Sequence, residues 1–152
     1  MKLQKKNIIK SLSLIIFVLI VAISCDKRPT APNLLVGTWT STYNEDFIYD
    51  GITFTSAYDG KNSYVVKVER VIYSSDTAGI IYGKYTENSY TPSVVGKYYA
   101  VSFKDLTDSE VSISGAYKSD RKTGTDTLWQ AIKEFTIDNG YFGLYSACKR
   151  KQ

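Results

Sequence analysis

A mainly β domain is the architecture the sequence predicts beyond its first 34 residues: an antiparallel up-and-down β-barrel of about eight strands, with one short helix before the last strand. Three observations predict it. Val, Ile, Thr and Ser are abundant and there are 13 Tyr, the residues that fit a pleated, half-buried surface. Apolar residues recur with period two in short runs. Turn dipeptides such as Asp59-Gly60 and Asn139-Gly140 punctuate those runs.

The start of the chain has a different character. Lys2, Lys5, Lys6 and Lys10 precede an apolar run over 12–23, the charged-then-apolar layout of an export signal. A membrane-spanning helix needs about 20 apolar residues, and this run is shorter and ends at Ser24-Cys25. Ala22-Ile23-Ser24 forms a relaxed version of the box that precedes a lipidated cysteine. We therefore expect 1–24 to be a lipoprotein signal peptide, Cys25 to be the lipidation site and 25–34 to be a polar, proline-bearing tether. A plain signal peptide with an incidental cysteine is the alternative. The folded domain is expected over 35–152.

The formal charge of +4 resides entirely in the four lysines of the signal, so the remaining chain is formally neutral. A neutral domain lacks the long-range attraction to phosphate that nucleic-acid binding requires. The basic run Lys149-Arg150-Lys151 reads as a solvated terminus able to touch anionic headgroups.

Strands are expected over 36–43, 51–58, 63–73, 80–86, 97–104, 110–117 and 141–148, with an eighth either in 45–49 or in a bend of the long third strand. In the second, Ile52, Phe54 and Tyr58 share a face. In the third, Tyr64, Val66, Val68 and Ile72 alternate with Val65, Lys67, Glu69 and Val71. Between the sixth and last strands the period changes: Leu128, Ile132 and Phe135 form one stripe over 127–137, flanked by Trp129. Thr127 and Gln130 are spaced as a capping box, and Asn139-Gly140 supplies a left-handed stop. Eight antiparallel strands can close on themselves, with the helix shutting one end. The interior is then wide enough for side chains or one small ligand.

With Cys25 lipidated, Cys148 has no partner in the chain. Its alternation with Phe142 and Leu144 places it on the apolar face of the last strand as an inert thiol. The chain has no histidine, which removes Ser-His-Asp and Cys-His catalysis and the usual general base near neutral pH. The acids Glu45, Asp46, Asp59, Asp76, Asp105, Asp108 and Asp138 sit where turn chemistry accounts for them. No enzymatic activity, cofactor or metal is expected.

Arg70 is the residue of most interest. Counting by twos from Tyr64, it falls on the apolar face, where an unpaired guanidinium is costly. Either it meets an anionic ligand in a cavity lined by Tyr64, Tyr99 and Phe103, or a bulge near Glu69-Arg70 turns it to solvent. Tyr90, in the loop Asn88-Ser89-Tyr90-Thr91, is expected to be exposed.

Gly37-Thr38-Trp39 resembles the Gly-x-Trp signature of lipocalins, whose tryptophan packs across the floor of an eight-stranded barrel. Together with the runs Tyr98-Tyr99-Ala100-Val101-Ser102-Phe103 and Ser112-Ile113-Ser114-Gly115-Ala116-Tyr117, the chain resembles lipocalin-like lipoproteins of bacteria, of the spirochaete type. The resemblance implies structural roles for Gly37 and Trp39, and a small apolar or amphipathic ligand inside the barrel. The expected protein is a non-enzymatic monomer, exported and held by lipid on Cys25 to the outer membrane or cell surface rather than the inner membrane. The alternative is a protein-binding surface or periplasmic module, either a host-contact protein or a lysozyme-type inhibitor. For the latter, Ser114-Gly115-Ala116-Tyr117 resembles the loop of small barrel inhibitors.

Overall fold

The computed structural model describes residues 34–152; the expected signal, Cys25 and nearly all of the tether lie outside the described residues. Eight strands pair antiparallel in sequence order: β1 (Gly37–Ser41), β2 (Glu45–Tyr49), β3 (Thr53–Tyr58), β4 (Lys61–Ser75), β5 (Ala78–Asn88), β6 (Tyr98–Lys104), β7 (Glu110–Gly115) and β8 (Ser146–Arg150). β8 returns to β1, with Trp39 opposite Arg150 and Ser41 opposite Cys148, so the sheet closes and leaves no free edge. Up-and-down order sends alternate turns to opposite ends. The basal end carries Leu34, the turns after β2, β4 and β6, and the C-terminus. The distal rim carries the turns after β1 and β3, the 89–97 loop and the long connection from β7 to β8.

The eighth strand is the segment 45–49, the first of the two places expected. The chain turns earlier than the 36–43 reading allowed, because Ser41 Oγ accepts from the backbone N–H of Tyr43 and Glu45 and Asn44 adopts a φ of 61°. Strand β3 starts two residues later than expected. The Asp50 carboxylate accepts from the N–H groups of Ile52 and Thr53 and from the Thr53 hydroxyl, making a turn that leaves Ile52 exposed. Phe54 faces the core alone of the expected trio, since Tyr58 lies exposed at the rim.

In β4 the period of two is interrupted. Val68 pairs with Gly83 and Arg70 with Tyr82, so Glu69 is an extra residue and the strand bulges. Above the bulge, Tyr64 and Val66 face inward. Below it the faces swap, so Val71 pairs with Ile81 and turns to the core while Ile72 is turned outward and exposed. The expected last strand over 141–148 is likewise shortened. Tyr141 and Phe142 are both buried in succession, which no strand with one wet face permits, and Leu144 is exposed, so pairing begins only at Ser146.

The helix, α1 (Leu128–Glu134), has the expected capping box: Thr127 Oγ1 accepts from Gln130 N, and the Gln130 side chain accepts from Thr127 N. It stops three residues short of 137, because Asn139 Nδ2 takes the carbonyls of Lys133 and Glu134 at 3.0 and 2.7 Å. α1 lies against β5 and β6. There the hydroxyl of Tyr82, a residue on the outer face of β5, donates to Phe135 O at 2.9 Å. The same connection buries Ala100 and Ser102, outer residues of β6, with Ser102 Oγ and Tyr145 OH 2.9 Å apart. Thr127→Ala should lower the stability of the fold by about 1 kcal/mol, read from urea denaturation; no measurable loss would mean that packing alone holds α1.

Candidate functional site

The basal half of the barrel is closed by its own side chains. Trp39 is wholly buried and donates from Nε1 to Leu35 O at 2.8 Å. The Arg150 guanidinium lies 4.1 Å from the centre of its ring. Arg150 also donates from Nη1 to Val36 O at 2.9 Å, from Nε to Asp108 O at 2.7 Å, and from Nη2 to Leu34 O. The basic run at the C-terminus is therefore not a free solvated tail: Arg150 ends β8 and shuts the base, and Lys151 pairs with Asp46 at 2.8 Å. Gly37 is required beneath it, since its φ is +146° and a Cβ there would collide with the guanidinium. Phe103 belongs to this half, set edge-on to Tyr73 with centroids 5.8 Å apart.

The distal half is built differently. Phe47 and Phe54 form its floor, 6.0 Å apart, and above them Tyr64, Tyr85 and Tyr99 pack together. Tyr85 and Tyr99 stack at 4.8 Å, and Tyr64 stands edge-on to both, at 5.9 and 5.6 Å. Of the expected lining residues, the structure brings Tyr64 and Tyr99 together and leaves Phe103 at the other end. Arg70 is exposed on the outer face, opposite Tyr82. The bulge accounts for this, so the inward placement of Arg70 is corrected.

The charge that does point inward is Glu45. It sits opposite Tyr58 in the β2–β3 ladder, on the same face as Phe47 and Ser56, and its Oε1 accepts from Ser56 Oγ at 2.7 Å. Burial pushes up the phenols of Tyr64 and Tyr99 and the thiol of Cys148, and the Glu45 charge adds to each of these shifts. A carboxylate felt from β4, β6 and β8 lies within the lumen they enclose. Its neighbour Asp46 faces outward, between Thr40 Oγ1 at 2.6 Å and Lys151. Among the described residues no lysine or arginine pairs with Glu45.

Gly115 of β7 completes the wall. A Cβ there would lie 2.5 Å from Tyr99 Oη and 3.6 Å from Tyr64 Oη, so both phenols point into the space that glycine leaves. Glu45, Tyr64 and Gly115 all face the lumen, yet each keeps part of its surface accessible to solvent. Tyr85 and Tyr99 are themselves buried, and the Phe135 ring, from the connection to β8, packs against Tyr99 at 6.1 Å. The phenols stay protonated, since burial holds those of Tyr64, Tyr85 and Tyr99 well above their ordinary value. They therefore offer neutral hydroxyls at neutral pH.

Glu45, Tyr85 and Gly115 were not foreseen. Phe47 and Tyr49 alternate, and counting back by two from Phe47 reaches Glu45, so the signal was available once 45–49 was read as a strand instead of a turn. Outside the lumen, a hollow of about 430 Å³ lies beside α1, lined by Lys97, Lys122, Asp126, Trp129 and Glu134. Two of its three lysines are taken up by the pairs Lys97–Asp126 and Lys122–Glu134, both at 2.6 Å, and Lys133 lies 5.8 Å from the centre of the Trp129 ring. A groove of about 380 Å³ runs along β8 past Thr40, Ser112 and Lys149. Tyr90 is exposed at the rim, as are Tyr43 and Tyr117.

The buried hydroxyls and thiol make alkaline pH destabilising. Burial raises Cys148 from 9.0 to about 11 and Tyr82 from 10.0 to about 12. The unfolded chain therefore loses these protons first, and stability present below pH 9 falls as pH rises from 9 through 12. The expected result is a late, steep rise in phenolate absorbance from the buried tyrosines that coincides with loss of the β circular dichroism signal. A gradual rise with the fold intact would contradict the burial described.

No family model matches the chain, and no curated protein and no solved structure matches it either.

Proposed function

We propose that this protein is an exported, non-enzymatic monomer, lipocalin-like in its design, that is anchored by lipid on Cys25 and holds a small amphipathic ligand in its distal lumen. The observation that carries the reading is the contrast between the two halves of the barrel. One is filled by Trp39 and shut by Arg150. The other has a floor of Phe47 and Phe54, converging phenol hydroxyls and partly accessible polar walls. An apolar floor with a few convergent polar groups is the usual make-up of a small-molecule site.

The anchor fits this arrangement. Arg150 holds the backbone of Leu34 and Val36 at the basal end, so Leu34 lies at the end opposite the distal rim. A protein tethered there presents its lumen away from the bilayer. No helix among the described residues is long and apolar enough to cross a membrane.

Native mass spectrometry of the full chain expressed in a bacterial host should reveal a bound small molecule that organic extraction removes. A single bare mass before and after extraction would overturn the carrier reading. Cys25→Ala should move the protein from the membrane to the soluble fraction, and a variant that stays on the membrane would overturn the anchor.

A further inference from the structure

Trp129 is 68 % exposed, whereas Trp39, the other tryptophan, is wholly buried. The helical period explains the placement. Leu128, Ala131, Ile132 and Phe135 form the stripe packed on the core, and Asp126, Trp129, Gln130, Lys133 and Glu134 recur at the spacing of the opposite stripe. All five line the hollow of about 430 Å³ together with Lys97 and Lys122, a volume within the range of small-ligand pockets, about 300–1,000 Å³. We propose that this hollow binds a neutral saccharide, one pyranose face stacked on Trp129 and its hydroxyls bonded to the ion pairs Lys97–Asp126 and Lys122–Glu134. The site lies on the outside of the barrel and needs nothing from the lumen, so it stands or falls apart from the carrier reading.

The walls are fixed before any ligand arrives. Thr125 and Tyr98 exchange backbone bonds in both directions, at 2.9 and 2.8 Å, which stitches the segment before α1 to the start of β6. Lys97 and Asp126, the residues next to that pair, meet at 2.6 Å as a result. The capping box sets the first turn of α1, and Lys122 ties the last turn through Glu134 at 2.6 Å. Bonding capacity is left over on this frame. Each ammonium has three donors and gives one to its carboxylate. Among the described residues, Asp126 Oδ2 and the indole N–H of Trp129 have no partner. Such a preformed set of donors and acceptors binds without the cost of ordering it.

Charge then separates the kinds of guest. Two of the three lysines are held by carboxylates, so an anion would have to break an ion pair or rely on Lys133 alone. A wholly apolar guest would strip water from both pairs and give nothing back. A saccharide meets both demands. Each hydroxyl donates and accepts, so neighbouring hydroxyls can take a bond from an ammonium and give one to the carboxylate beside it, and bonds to charged groups are the strong ones. One face of a pyranose ring presents C–H groups, which suit the negative face of an aromatic ring. Only Lys133 competes for the indole, at 5.8 Å from its centre, close to the outer limit of about 6 Å for a cation over a ring.

The test is acrylamide quenching of tryptophan fluorescence in the full chain, with cellotetraose, mannotetraose, galactotetraose and chitotetraose as probes and inorganic phosphate for comparison. Trp39 is wholly buried, so the quenchable signal is that of Trp129. At least one saccharide should shield it saturably by about 10 mM, where a ligand of millimolar Kd is mostly bound. Calorimetric titration with that saccharide should give an affinity at least about tenfold weaker in Trp129→Ala, the worth of a good aromatic contact, and a weaker one in Asp126→Asn as well. Trp129 is exposed, so its removal should leave the melting temperature unchanged and a lost affinity is not a lost fold. No shielding by any of the four saccharides, shielding by phosphate equal to that of the best saccharide, or an affinity unchanged in either variant would overturn the proposal.

Discussion

Trp39→Ala is expected to lower the folding free energy by about 3–5 kcal/mol, the range for deleting a large buried aromatic. In a domain of this size that corresponds to a fall in melting temperature of more than about 10 °C. Trp39 is wholly buried, gives its indole N–H to Leu35 and carries the Arg150 guanidinium on its face. Its removal opens the base, strips Arg150 of its platform and leaves the Leu35 carbonyl without that donor. Arg150→Lys tests the second part separately. A lysine keeps the charge but not the planar fork that reaches Val36, Leu34 and Asp108 together. Thermal denaturation of both variants and of the double variant should give less than additive losses, since the two side chains form one contact. Additive losses would mean that they act independently.

Gly83→Ala is expected to cost about 3 kcal/mol, although it adds a single methyl group. Gly83 of β5 lies opposite Val68 of β4. A Cβ there would collide with the Lys67 carbonyl oxygen and sit 2.6 Å from Val66 Cγ1. The obstacle is partly backbone, so relief requires moving two strands of the longest ladder in the barrel, and overpacking of that kind is destabilising. Gly143→Ala is the control: nothing lies within 4 Å of the added group, and a change within about 0.5 kcal/mol is expected. Urea denaturation distinguishes them, and equal behaviour would show that β4 and β5 separate without penalty.

Local chemistry accounts for what was legible in the sequence. The alternation of Tyr99, Val101 and Phe103 in β6 and the capping box of Thr127 and Gln130 are short-range signals, and both appear where expected. The failures are tertiary. One extra residue at Glu69, one of the two alternatives open for Arg70, inverts the faces of β4 beyond it; the apolar residues do not choose between the alternatives, because Val71 and Ile72 are equally suited to either face. The outer surface of β5 and β6 is buried under the connection to β8, so Tyr82 and Ser102 have no wet side to betray. Arg150 looked like part of a basic tail because its partner Trp39 lies at the other end of the sequence. For the site, the tyrosines were visible and the carboxylate was not. Glu45 stands beside Asp46 after a turn, and acids in turns need no further reason until the pairing of β2 shows which one faces in.

The joining of β8 to β1 bears on how the molecule is made. Arg150 bonds to Val36 across 114 positions of sequence, so the barrel cannot close while the residues of β8 are still held back in a ribosome or translocation channel. Until they arrive, β1 and β7 each present an unpaired row of N–H and C=O groups, the kind of edge that recruits other chains. A chain cut off before Ser146 would keep seven of its eight strands and should accumulate as aggregate, which makes β8 the element that protects the others from mispairing.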